Sequence, residues 1–149
     1  MNKILLFAIG VFAFLNSFSQ TQDPVHWSTS YKSLNASEGE ITVTAIIDKG
    51  WHTYSQKETE AGPISTTFTF PVSSQYKLEG KAEETGAVEQ FDKAFEAKIY
   101  TFTDKAVFKQ KIKLNGKLGF AVAFKVEYTC CNENRCLPPK TVDLSVKTQ

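Results

Sequence analysis

Histidine, methionine and cysteine are all scarce in this chain, with two His, one Met and three Cys among 149 residues. His26 and His52 stand far from each other and from the cysteines in sequence, so no closely spaced ligand pair marks a metal site. There is no Gly-rich phosphate loop, no serine-histidine-acid grouping and no paired acid set. Hydrolase and nucleotide chemistry therefore have no candidate residues, and no cofactor or metal is called for. The formal net charge is only +1 and the lysines are scattered, so the basic footprint of a nucleic-acid binder is missing. Internal repeats, low-complexity blocks and Pro-, Gly- or Ser-rich linkers are absent too, which leaves no sign of a second domain.

Long apolar runs are confined to the start. Lys3 gives a short positive region, Ile4 to Leu15 is uninterrupted apolar sequence, and Ser17-Phe18-Ser19 places small residues where a signal peptidase reads them. Residues 1–19 read as a signal peptide, since the run falls short of the roughly 20 residues that span a bilayer. An uncleaved anchor is the plainer alternative. Once the leader is removed no transmembrane span is expected, and residues 20–149 suit one exported domain with a core that needs no metal or set of disulfides. All three cysteines lie between positions 130 and 136. In an oxidising compartment disulfides persist, and an odd count leaves one thiol unpaired within the chain.

What the sequence does contain is a period of two. Phe108, Ile112 and Leu114 share one parity while Val107, Lys109, Lys111 and Lys113 share the other, the pattern of a half-buried antiparallel strand. Phe120, Val122, Phe124, Val126 and Tyr128 repeat it against Ala121, Ala123, Lys125 and Glu127, and Val142, Leu144 and Val146 do so again. Further strands are expected at Val25 to Tyr31, Glu40 to Ile47, Trp51 to Ser55, Thr66 to Phe70, Tyr76 to Glu79 and Lys98 to Phe102. They are rich in β-branched and aromatic residues and are separated by turn signals such as Asp48-Lys49-Gly50 and Asn115-Gly116. Ala87 to Ala97 is polar enough to hold a helical turn within a long loop. About eight or nine short strands with these spacings predict an all-β chain folded as an immunoglobulin-like antiparallel sandwich. By strand parity Trp27, Trp51, Tyr54, Phe68, Phe70, Phe120 and Phe124 belong mostly to its core.

The cysteines sit in Tyr128-Thr129-Cys130-Cys131-Asn132-Glu133-Asn134-Arg135-Cys136-Leu137-Pro138-Pro139, between two strands. Residues facing each other across the mouth of such a connection have Cα atoms about 4.5 to 5.5 Å apart, within disulfide reach. Either Cys130 or Cys131 could pair with Cys136. If the preceding strand keeps its alternation, Cys130 points inward as a small buried hydrophobe and Cys131 points to the other face, which favours Cys131; a bulge would reverse this. A bridge closing so small a loop adds little stability by chain entropy, and at an exposed loop it is better placed for exchange than for bracing.

The run Cys-Asn-Glu-Asn-Arg-Cys-Leu-Pro-Pro at 131–139 resembles the active-site loop of the amino-terminal periplasmic domain of the thiol-disulfide interchange protein DsbD, and more closely that of its stand-alone secreted relatives. Lys49-Gly50-Trp51-His52-Thr53-Tyr54-Ser55, Gly62-Pro63, Phe91-Asp92, Phe95 and Ile99-Tyr100 are similar to that family in order and rough spacing. The likeness runs from about Pro24 to Val146. It implies an immunoglobulin-like fold and a periplasmic relay of reducing equivalents from a membrane reductase to oxidised exported proteins, among them thioredoxin-like ones. It further implies that Cys131 and Cys136 are the redox pair, that Cys136 enters the mixed disulfide, and that Phe91 and Phe95 belong to a cap over the pair. The acidic-aromatic-glycine sequence of the family's cap is not reproduced here, and the cysteine spacing is one residue shorter.

Thiol-disulfide exchange needs little beyond two neighbouring thiols, and a nearby cation favours the reactive thiolate. Arg135, beside Cys136, is the candidate for such tuning, with Glu133 acting the other way; both are plainly read as solvated loop residues. Tyr128 precedes the loop, and Pro138 and Pro139 end it. Two other readings compete: a secreted sandwich with a merely structural hairpin disulfide, and metal binding through the cysteines with His26 or His52.

Overall fold

Lys105, Lys109, Lys111 and Lys113 face solvent while Ala106, Phe108, Gln110, Ile112 and Leu114 are buried. This alternation fixes one wet and one dry face for the strand and demands a second layer over the dry one. The computed structural model, which describes residues 23–59, 62–92 and 95–149, supplies that layer. The expected leader at 1–19 lies outside the described residues. Among the described residues eleven strands follow in order: β1 (Val25–Ser33), β2 (Glu38–Ile47), β3 (Trp51–Tyr54), β4 (Thr67–Thr69), β5 (Tyr76–Thr85), β6 (Val88–Asp92), β7 (Ala97–Phe102), β8 (Lys105–Leu114), β9 (Ala121–Tyr128), β10 (Cys130–Asn132) and β11 (Lys140–Lys147).

All pairings are antiparallel, in three sheets with strand orders β1-β2-β8-β5, β11-β9-β4 and β10-β3-β7-β6. The first two pack face to face as the immunoglobulin-like sandwich that the alternation predicts. Between them lies a continuous aromatic seam. Phe68 of β4 meets Phe108 of β8 at 4.9 Å between ring centroids, Trp27 of β1 meets Tyr128 of β9 at 5.2 Å, and Phe70 stacks on Phe124 at 4.5 Å. Such edge-to-face and offset contacts add to simple area burial. Gln110, the polar residue on the dry face of β8, is satisfied by donating its side-chain amide to the carbonyls of Glu79, Gly80 and Lys111. The pairing of β5 with β8 shifts register between Glu79 and Glu83, and Gly80 in that bulge takes a φ of 67°.

The third sheet joins the main core through Trp51, Phe102 and Cys130. The sharp Asp48-Lys49-Gly50 turn, closed by Trp51 N donating to Asp48 O at 3.0 Å with Gly50 at φ 83°, sends the chain from β2 directly into β3. The helical turn expected within Ala87 to Ala97 is not found among the described residues, where Val88 to Asp92 form strand β6 and pair in register with Thr101 to Ala97 of β7. β6 is polar because it is an edge strand with little to bury. Among the described residues there is no helix, and so none long and apolar enough to cross a membrane.

Phe108 is 1% exposed and touches rings from β1, β4 and β7, so truncation leaves a cavity that these neighbours cannot fill. Phe108→Ala is expected to lower unfolding free energy by about 3 to 5 kcal/mol in urea titrations. Phe91→Ala, on the exposed edge, should stay within about 0.5 kcal/mol of the parent.

Candidate functional site

β9 and β11 form a long hairpin whose last register pair is Tyr128↔Lys140. The segment between them does not simply close that hairpin, as the sequence suggested; it leaves the sheet and builds a smaller hairpin of its own. β10 adds to the edge of β3, with Cys130 opposite Thr53, Cys131 opposite His52 and Asn132 opposite Trp51. The departure is pinned by the buried Thr53 hydroxyl, which donates to Thr129 O at 2.8 Å. The chain then reverses at Asn132, whose backbone N donates to Arg135 O and whose side-chain Oδ1 accepts from the backbone N of Asn134 and Arg135, each at 2.9 Å. An asparagine that holds its own turn in this way explains the Asn at this position.

Leu137 N returns to donate to Cys130 O at 2.9 Å. Cys131 and Cys136 therefore face each other between two backbone hydrogen-bonded rungs, at the kind of pair where side chains come closest. Their Cα atoms are 4.0 Å apart and their sulfurs are bonded at 2.00 Å. The two cysteines are not equivalently placed. Cys136 is exposed, whereas Cys131 is 2% exposed and packs with Tyr54 and Ile99.

Strand alternation separates the adjacent cysteines. Cys130 joins the main core with Trp51, Phe102 and Tyr128, while Cys131 turns to the opposite face of β10. Burial pushes the Cys130 thiol up to about 12, with the charges of Asp23 and Asp48 adding to the effect. It is held as a neutral thiol, an inert small hydrophobe.

On the Cys131 face His52 Nε2 and the Tyr54 hydroxyl lie 3.2 Å apart, with their rings edge to face at 5.4 Å. Burial lowers the His52 pKa against an opposing pull from Asp92 at the end of β6. Burial also raises Tyr54 to about 12, reinforced by Asp92 and Cys130. The sequence offered His52 as a plain strand residue and Tyr54 as core. What it lacked was register, which alone sets His52 across from Cys131 rather than from Cys130.

The family profile described as "Thiol:disulfide interchange protein DsbD, N-terminal" matches residues 22–148. The chain belongs to this family. Solved structures agree on the fold. The Neisseria meningitidis DsbD N-terminal domain in its reduced form superposes with a TM-score of 0.51 at 14% identity, over 80% of this chain and 83% of that one. The N-terminal periplasmic domain of ScsB from Proteus mirabilis gives 0.55 at 13% identity, covering 83% of this chain and 45% of that one. A complex between the DsbD and PilB N-terminal domains of Neisseria meningitidis gives 0.50 at 15% identity, over 71% of this chain and 73% of that one. Comparison with curated proteins gives no match.

Within this DsbD N-terminal fold the other residues singled out from sequence take distinct places. Arg135 lies over the Trp51 ring, 6.0 Å from its centroid. Phe91 is 64% exposed, and its pairing with Lys98 puts it on the face of β6 opposite to Asp92 and the disulfide side of the sheet. Phe95 is half-buried and its backbone N donates to Asp92 Oδ1 at 3.1 Å. Asp92, next to Phe91, acts electrostatically on His52 and Tyr54 beside Cys131. Neither histidine stands in a metal-binding group: His26 contacts Asp48 at 3.0 Å, and no cluster of three or more His, Cys, Asp or Glu occurs among the described residues.

Tyr128 anchors the base of the hairpin. Its hydroxyl donates to Asp23 Oδ1 at 2.9 Å, and Lys140 Nζ reaches Asp23 Oδ2 at 2.5 Å. Burial raises the Asp23 pKa, but the hydrogen bonds from Lys140 and Tyr128 outweigh it and hold the carboxyl below its ordinary 3.8. A depressed carboxylate contributes stability that is present above its unfolded pKa and lost as pH falls through the folded one. Melting temperature is therefore expected to drop as pH falls below about 3.8, and Asp23→Asn should flatten that acid limb in a pH series of thermal melts.

Proposed function

We propose that this protein is a periplasmic thiol-disulfide exchange module, relaying reducing equivalents from a membrane thiol-disulfide reductase to oxidised exported proteins through Cys131 and Cys136. The observation that carries the reading is the asymmetry of the bridge, one cysteine exposed and its partner buried in the same short hairpin. Family membership supports it. A DsbD N-terminal domain from Neisseria meningitidis forms a complex with the PilB N-terminal domain, which supports a thioredoxin-like or disulfide-containing acceptor docking at this hairpin. The apolar run before Ser19 supports export.

In the reductive half, a donor thiolate attacks Cys136 Sγ. The Cys131–Cys136 bond breaks, its electron pair passes to Cys131 Sγ, and Cys131 takes up a proton. The donor's second thiolate then attacks its own sulfur in the mixed disulfide, releasing Cys136 as a thiolate and leaving the donor oxidised. In the delivering half, Cys136 thiolate attacks the acceptor's disulfide, and Cys131, deprotonated, attacks Cys136 Sγ to expel the acceptor as a dithiol. Two electrons move in each half and no cofactor takes part.

The order of attack makes a test. Cys131→Ser removes the resolving thiol, so incubation with an oxidised thioredoxin-like acceptor should accumulate a covalent 1:1 complex through Cys136, seen on non-reducing gels and dispersed by dithiothreitol. Cys136→Ser should accumulate none, its remaining thiols being buried. Equal trapping by both variants, or by neither, contradicts the reading.

A further inference from the structure

The exchange chemistry leaves a proton unaccounted for. When Cys136 is attacked, Cys131 leaves as a thiolate into a pocket walled by Tyr54 and Ile99, and an anion in such surroundings is strongly disfavoured unless it is protonated. Arg135, the basic residue nearest in sequence, lies over Trp51, on the other side of β3 by alternation from His52. The residue directly across the ladder from Cys131 is His52, and residues opposed in this way project from the same face with Cβ atoms about 4.5 to 5.5 Å apart.

His52 also spans the boundary between solvent and pocket. It is half-buried, whereas Tyr54, two residues on and so on the same face, is 3% exposed. The 3.2 Å contact between His52 Nε2 and the Tyr54 hydroxyl links the wetter group to the one packed on Cys131. Among the described residues, four elements present groups on the face of His52. β10 presents Cys131, its own strand presents Tyr54, β7 presents the uncharged Ile99 and Thr101, and β6 presents the carboxylate of Asp92.

We propose that His52 is a positioning residue for exchange at Cys131, delivering through the Tyr54 hydroxyl the proton that the departing Cys131 thiolate takes up. It rests on the exchange reading above and adds a proton route to it. As the Cys131–Cys136 bond breaks, Cys131 Sγ accepts the hydroxyl proton of Tyr54, Tyr54 Oη accepts the proton on His52 Nε2, and His52 is reprotonated from water. The reverse sequence frees the Cys131 thiolate when the bridge re-forms. Burial of His52, which lowers its pKa, keeps it able to give up the proton, and Asp92 limits that lowering.

The test is the pH dependence of reduction of the oxidised protein by dithiothreitol in stopped flow, with each rate constant divided by the thiolate fraction of the reagent. For the parent, this normalised constant should fall at least about 10-fold as pH rises through the imidazole range. His52→Gln keeps a hydrogen-bonding partner for Tyr54 but has no titrating nitrogen, so its profile should be flat at the lower value. Tyr54→Phe removes a single oxygen and should give the same flat profile, and the double variant should be no slower than either alone. Circular dichroism melts identify any variant that has lost its fold. A Gln variant that tracks the parent, a flat parent profile, or additive losses in the double variant would overturn the inference while leaving the cysteine relay intact. A parent bridge that dithiothreitol cannot reduce would overturn both.

Discussion

Three residue pairs between β10 and β3 organise the molecule's chemistry. Because Cys130, Cys131 and Asn132 are laddered onto Thr53, His52 and Trp51, consecutive cysteines are forced to opposite sides of one short strand. One sulfur is committed to the sandwich core and kept neutral. The other is held against Tyr54 and Ile99, where it meets Cys136 from the returning arm. A slip of one residue in this register would exchange the two roles, and the Thr53 bond to Thr129 O is what sets the register at its start.

The scaffold and the bridge divide their duties. Interleaved aromatics from β1, β4, β8 and β9 hold the sheets together, and Tyr128 with Lys140 and Asp23 ties down the base of the connection. The disulfide closes a loop with a sequence separation of 5. Chain-entropy reasoning assigns such a ring about 2 kcal/mol, against about 4.7 kcal/mol for a ring of 100 residues. Opening it therefore leaves the sandwich folded, with backbone hydrogen bonds on either side of the pair to hold the thiols in place. Stability comes from the core rather than from the bridge.

Much of this was legible in the sequence. Alternation along 106–114, 120–128 and 142–146 gave β8, β9 and β11, and turn residues such as Asp48-Lys49-Gly50 gave the breaks between strands. Parity also separated Cys130 from Cys131. Long-range register was not legible, since nothing local to 128–139 says that its start will desert β9 for the edge of β3. For the same reason His52 looked like any strand residue until its partner across the ladder was known. The short strand β6 was missed because an exposed edge strand carries charged and polar residues on both faces, erasing the period-two signal. Phe91, placed over the cysteines by resemblance, points the other way in the β6–β7 register, and Asp92 turns toward them instead.

The account stands most directly on equilibrium redox titration of the protein in thiol-disulfide buffers, with each cysteine's state mapped by mass spectrometry. It predicts a reversible two-electron transition in which the bridge joins Cys131 and Cys136, Cys130 stays reduced throughout, and the midpoint lies above about −300 mV, in the exchanging range. A bridge that remains closed across that range, or a titration in which Cys130 takes the place of Cys131, would contradict it.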